Sequence, residues 1–340
     1  MSEIQQLIGR VEVQDAIAFR NLTIFPLTGK MTNSRSYITL ADALQSGEFR
    51  ITEVNEGSRV PEVRVENLGS SPVLLLDGEE LLGAMQNRIL NLTIMIPAKS
   101  NVNIPVSCVE AGRWSHSSRN FKDAGRTGYA SLRARKAAQV SENLNMGHSR
   151  EADQRAIWQD LAAKASRMRA SSPTRAMAGM YEAHGDALEK FGKNIRPIPE
   201  QCGVIFAIGG TVTGMDLFDH PETFRELFPK LLHGYALDAI DQEQQISTVP
   251  LKTIAEDFVS EVAAVSDVRS FHAVGLGTDL RFQGRRVTGS ALDALDGIVH
   301  LRAFALSQSS AYGGDDSGSV PRASRSSLRR SRRVRRAMNR

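Results

Sequence analysis

The hydrophobic period of this chain switches from that of strands to that of helices at about Asp123, and that switch restricts the fold more than any other feature. Upstream of it, short apolar runs alternate with turn residues: Val11-Glu12-Val13, Leu22-Thr23-Ile24-Phe25, Tyr37-Ile38-Thr39-Leu40, Arg50 to Val54 and Val63-Arg64-Val65. β-Branched residues in short, closely spaced runs predict antiparallel strands. Asp42-Ala43-Leu44 reads as one helical turn. Val73-Leu74-Leu75-Leu76 is apolar throughout and predicts a strand buried on both faces, with Asp77-Gly78 as the turn after it. Asn87 to Ile96 and Val102 to Cys108 alternate again. Pro105 has no amide hydrogen, so the second of these runs is expected at a sheet edge or at a bulge.

From Asp123 to Lys193 the spacing becomes helical. One helix is expected near 128–144. Ile157, Leu161, Ala165 and Met168 form a stripe on a second. Ser172-Pro173 predicts a further helix start, with Met177, Met180, Tyr181, His184, Leu188 and Phe191 on its apolar face. Beyond it Gly203 to Ile208 is a strand, Gly209-Gly210 a turn and Thr211 to Asp216 its hairpin partner. Pro221 opens a helix that Pro229 is expected to kink or divide. Another helix runs from about Leu251 to Val262, with Ile254, Phe258 and Val262 in register, and strands are expected at 269–275, 279–283 and 297–304. The class implied is α+β. An antiparallel β-sandwich core occupies 1–120, a helical insertion 121–199, and a mixed segment returning to the core 200–306. A disordered Arg/Ser-rich tail covers 307–340, where apolar residues are too few to offset the entropy of ordering.

Charge divides along the same lines. The formal net charge is +4, but residues 307–340 carry nine Arg against two Asp, so the remainder is net −3. Basicity is therefore a property of the tail alone. Residues 322–340 are a candidate contact for nucleic acid or an acidic partner, and the plainer alternative is a solubilising extension. No apolar run approaches the ~18 residues that span a membrane, and the first residues lack the basic and apolar regions of a signal peptide. The two cysteines, Cys108 and Cys202, form no C-x-x-C pair, which predicts a reducing cytoplasmic compartment.

Chemistry-bearing side chains are densest between Leu74 and Trp114. Glu79 and Glu80 are adjacent on a strand, so they point to opposite faces, and either one beside a cleft could serve as acid or base. The alternative is a strand-end charge paired with Arg88. Gln86, Asn87 and Arg88 offer amides and a guanidinium fork suited to a phosphate, carboxylate or ribose diol, or else they cap backbone groups in a loop. Cys108 is a candidate nucleophile, with His116 as base or Glu110 as a partner on its strand face, or simply a buried thiol. Arg113 and Trp114 complete the set, Trp114 either stacking on a base or plugging the sandwich. The seven His include no H-x-H or H-E-x-x-H, so no metal site is expected locally, although distant residues such as Glu79, Asp216 and His300 could assemble one. Gly209-Gly210 with Gly214 lacks the lysine ending of a phosphate loop, and no G-x-G-x-x-G opens a βαβ unit.

Asn21-Leu22-Thr23-Ile24-Phe25-Pro26-Leu27, Gly78 to Gly83, Gln86-Asn87-Arg88 and, most specifically, Ile104 to Glu110 with Gly112-Arg113-Trp114 resemble a bacterial domain family. That family is named for its association with ADP-ribosylglycohydrolases and rhodanese-like phosphatases. Weaker matches are Trp158, Ser172-Pro173-Thr174, Gly214 to Phe218 and His300-Leu301. The resemblance covers roughly residues 5 to 306. It implies a neighbourhood in NAD and ADP-ribose metabolism, and hence a nucleotide-derived small molecule as ligand; it names no cofactor, reaction or oligomeric state. The leading reading is an enzyme or ligand-binding domain acting on a nucleotide-derived metabolite such as ADP-ribose, with Glu79 or Glu80 as acid or base; the rival is a non-catalytic binding or scaffold module.

Overall fold

The computed structural model describes residues 2–31, 35–54, 61–113, 118–243 and 248–306. Trp114, His116 and the whole of 307–340 lie outside the described residues, and with them the expectations placed there. Residues 1–306 cluster as one compact unit. In chain order the elements begin with α1 (Glu3–Ile8), β1 (Val11–Val13), β2 (Ile17–Phe19), β3 (Leu22–Gly29), β4 (Ile38–Thr39), α2 (Leu40–Ser46), β5 (Phe49–Glu53) and β6 (Glu62–Asn67). There follow β7 (Val73–Leu75), β8 (Glu79–Gly83), β9 (Arg88–Leu90), β10 (Ile94–Ile96), β11 (Ser100–Cys108) and β12 (Phe121–Thr127). Four helices come next, α3 (Ala130–Asn145), α4 (Gln154–Arg167), α5 (Ala178–Ala183) and α6 (Gly185–Asn194), then β13 (Gln201–Ile208) and β14 (Thr211–Phe218). The unit closes with α7 (Pro221–Asp241), α8 (Lys252–Ala263), β15 (Asp267–His272), β16 (Thr278–Gln283), β17 (Val287–Ala294) and β18 (Gly297–Ala305).

The strands form three sheets. The largest runs β1-β3-β13-β14-β18-β17-β16-β15, with β2 also on β3; a second runs β12-β8-β9-β11-β6-β5; a third runs β10-β7-β4. Every pairing is antiparallel except β4 with β7, so the class is α+β. Side-chain alternation builds the layers. Phe25, Ile205 and Ala207 face α1 and α8 with Ile4, Ala255, Phe258 and Val262. Ile24, Val204 and Phe206 face the other way, onto α7 and α3. The three-stranded sheet sits between two cores, with Leu74 and Met95 in the one under the large sheet and Val73, Leu75 and Ile94 in the one shared with the six-stranded sheet.

Several elements differ from expectation for physical reasons. The leading segment, α1 to β3, joins the large sheet rather than a sandwich with β5 and β6. β11 is not an edge strand. It pairs with β6 through Pro105 and switches to β9 from Val106, so the missing amide falls at the changeover. α7 continues through Pro229 without dividing, because both its faces are buried and packing outweighs the lost hydrogen bond. No helix begins at Pro173. Ser172 instead holds a turn, its Oγ accepting from the Ala176 amide at 3.1 Å, and α5 starts only at Ala178. Ile254 is exposed, and Ala255 takes its place on the buried face of α8. Strand β17 was not anticipated; Gly289 and Ser290 dilute its apolar pattern. Gly209 and Gly210, at φ 57° and 85°, make the expected hairpin turn between β13 and β14.

Candidate functional site

The turn that ends β7 carries Asp77 into the interior, where it is fully buried. A carboxylate there needs cations, and three reach it: Arg133 Nε at 3.2 Å, Lys136 Nζ at 2.9 Å, and the Arg302 guanidinium. Gly78 makes this possible, since a Cβ at that position would meet Arg133 side-chain carbons at 2.9–3.0 Å. The Arg133 fork also holds Asp216 at 2.8 and 3.1 Å. Burial opposes the Asp216 charge, but Arg133 and His300 outweigh it and hold the carboxyl well below its usual range. His300 is buried and held below its ordinary value, hence neutral. Its Nε2 donates to Asp216 Oδ1 at 3.1 Å, leaving Nδ1 to accept from Thr93 Oγ1 at 2.9 Å. Asp216 and His300 thus meet through a hydrogen bond, while Glu79 turns to another partner. Among the described residues no three His, Cys, Asp or Glu are arranged to hold a metal ion.

Glu79 and Glu80 lie on opposite faces of β8, and neither exposes any surface. Glu79 Oε1 accepts from Lys230 Nζ at 2.5 Å and Oε2 from the Leu76 amide at 2.8 Å; Lys230 also binds Asp123 at 2.8 Å. Glu80 Oε2 accepts from Arg126 Nε at 2.5 Å, and Arg126 rests on the Tyr181 ring. Burial pushes both carboxyls up, against the pull of these cations. Arg88 pairs with neither. It contacts Cys108 Sγ and lies 3.4 Å from Glu53. Burial raises the Cys108 thiol despite Arg88, so it stays protonated, the opposite of what an activated nucleophile requires.

The structure does bring four of the predicted residues together. Arg113 donates to Glu110 Oε2 at 2.7 and 3.0 Å, to Ala84 O at 2.6 Å and to Asn87 Oδ1 at 3.1 Å. The Asn87 amide donates to Glu110 Oε2 at 3.0 Å, and Gln86 Nε2 to Glu110 O at 2.9 Å. Burial works against the Glu110 charge, but hydrogen bonds from Arg113, Thr174 and the Asn87 amide prevail and hold the carboxyl below its usual value. This clamp fixes the backbone leaving β11. The Gly112 amide donates to Thr174 O and the Met177 amide to Val109 O, both at 2.8 Å, zipping that backbone to the 172–177 segment.

Beside the zipper opens a cleft of about 620 Å³, with Ala111 on one wall and Arg175, Ala176 and Met180 on another. The third wall is α4, whose Trp158, Leu161 and Ala165 fall at helical spacing on one face. Asp153 caps this helix, accepting from the Arg155 and Ala156 amides. Arg175, exposed and at φ 53°, is the only ionisable residue among the described lining. Residue-by-residue reading did not single out Trp158 or Arg175 as site residues. A signal was there for Trp158: one of only two tryptophans in the chain, placed on a helix face next to alanines.

The family model of the ARG and Rhodanese-Phosphatase-superfamily-associated Protein domain matches residues 10–304, and the chain belongs to that family. Searches of the curated proteins and of the solved structures find no match.

Proposed function

We propose that the chain is a ligand-binding domain for a nucleotide-derived metabolite, with ADP-ribose the leading candidate. The observation that carries this reading is the cleft. Its volume of about 620 Å³ suits a ligand of nucleotide size. Trp158 and Leu161 offer a face for an adenine or ribose, and Arg175 at the mouth offers a guanidinium to a phosphate. The family name, which links the domain to ADP-ribosylglycohydrolase-associated proteins, supports the same ligand class. Binding is favoured over turnover because Glu79, Glu80 and Cys108 face interior partners rather than the cleft, and Glu110 is spent on the Arg113 clamp. Two free cysteines accord with a reducing, cytoplasmic setting.

A thermal-shift and calorimetric screen with ADP-ribose, NAD and AMP tests this reading. A ligand at about 100 times its Kd adds about 2.7 kcal/mol to stability. Trp158→Ala and Arg175→Ala should each remove most of that gain without unfolding the protein. No shift from any of the three, or a shift unchanged in both variants, would overturn the assignment. The nine arginines of 307–340 support a separate electrostatic contact with polyanions. A chain ending at Leu306 should lose salt-sensitive RNA binding if that contact exists.

A further inference from the structure

Away from the cleft, one buried face carries more positive charge than negative. Asp216, Arg302, Ser290, Arg281 and Arg269 are successive cross-strand neighbours on β14, β18, β17, β16 and β15, so they form one row on one face of the large sheet. Helix α3 packs against β17 and adds Arg133 and Lys136 to this region. Arg133, Lys136, Arg281 and Arg302 are all buried, and the buried carboxylates among them are Asp77, Asp216 and Asp279. Four cations meet three anions, and each carboxylate is already engaged. Asp279 takes two bonds from Arg281 at 2.7 and 2.8 Å, Asp216 takes the Arg133 fork, and Asp77 is shared by three cations. Donors are left over: Arg281 Nη1 and Arg302 Nη2 have no hydrogen-bond partner among the described residues. Buried guanidinium donors are seldom left in that state without a missing acceptor.

The geometry points to a site for one small monovalent anion, of the size of chloride, between Arg281 and Arg302 above Ser290. The two arginines stand two strands apart, roughly 10 Å. The residue between them is a serine, whose hydroxyl accepts from Arg302 Nε at 2.9 Å. A hollow of about 30 Å³, lined by Arg281 with Ser141, Asn145, Arg269 and Thr288, opens on the Arg281 side of the row; Arg302 and Ser290 do not line it. That is space for an ion near the size of water and too little for phosphate. Asp267 also lines the hollow, but it is paired with Arg269 at 3.7 Å. With Lys136 protonated, one positive charge is unneutralised and calls for one monovalent anion. Burial, with Arg133 and Arg281 nearby, presses the Lys136 ammonium well down from its ordinary range, so the surplus is relieved either by loss of the Lys136 proton or by a bound anion, and an anion would keep Lys136 charged. The site is independent of the cleft and does not rest on the ligand proposed for it.

The test is thermal unfolding of the full chain at constant ionic strength, replacing sodium gluconate stepwise by sodium chloride. The melting temperature should rise by a few degrees and saturate, bromide should act likewise, and phosphate should not. Lys136→Met removes the surplus charge, so the variant should melt higher than wild type in gluconate and no longer respond to chloride. Coincident wild-type curves in the two salts, or a chloride response kept in Lys136→Met, would overturn the proposal. Crystals of wild-type protein grown in bromide give a readout that needs no variant. An anomalous peak between Arg281 and Arg302 is expected, and its absence would count against the site.

Discussion

The strand end at Glu79-Glu80 and the cleft beside Trp158 are opposites in chemistry and in access. The first gathers carboxylates, guanidiniums and a lysine, buried or mostly so and bound to one another. The second has an apolar wall of Trp158, Leu161 and Ala165 and a single guanidinium, and it is open. Reactive side chains crowd the region that a ligand cannot reach. Charges that are buried must be paired, and pairing consumes the donors and acceptors that a ligand would use. Their density in the sequence reports how the protein is held together, whereas the sparser, apolar stretch forms the hollow.

This contrast yields graded expectations. Arg133→Met should have the largest effect, because it strips the fork from Asp216 and one cation from Asp77; a loss of about 3–5 kcal/mol in denaturant unfolding is expected. A loss under 1 kcal/mol would show that the ionic frame is not what holds these layers. Glu79→Gln should cost less, about 1–3 kcal/mol, since Lys230 keeps Asp123.

Asp219 sharpens the comparison as a buried carboxylate that accepts from the Tyr37 hydroxyl. Burial raises it from 3.8 to about 6. The folded chain therefore keeps a proton that the unfolded chain releases between about pH 4 and 6. Stability falls as pH rises through that window. Asp219→Asn should then gain up to about 3 kcal/mol at pH 7 by removing the buried charge, and the gain should vanish near pH 4. A gain that does not change with pH would contradict this. Trp158→Ala should cost least, under about 1 kcal/mol, because the ring is half-buried, yet it should weaken ADP-ribose binding at least tenfold.

How far the sequence revealed these features follows from the same physics. Strands with clean alternation, such as β3 and β13, and the Gly209-Gly210 turn were legible because local pattern determines them. The partners of Glu79 and Glu80 were not legible: Lys230 lies 151 residues from Glu79 and Arg126 lies 46 from Glu80, and charge pattern carries no information about pairing at that distance. Glu110 was legible as a candidate from its strand face shared with Cys108 and Arg113 from the motif it sits in, although their role as a clamp on Asn87 and Ala84 emerges only in three dimensions. The cleft was hidden because its walls come from α4, the 172–177 segment and Ala111, each ordinary by itself.

Hydrogen exchange measured with and without saturating ADP-ribose addresses both regions in one experiment. The account predicts new protection in α4 and across 170–180, with no change in β8 or around Lys230. Protection concentrated at Glu79 to Gly83, with α4 unaffected, would contradict it.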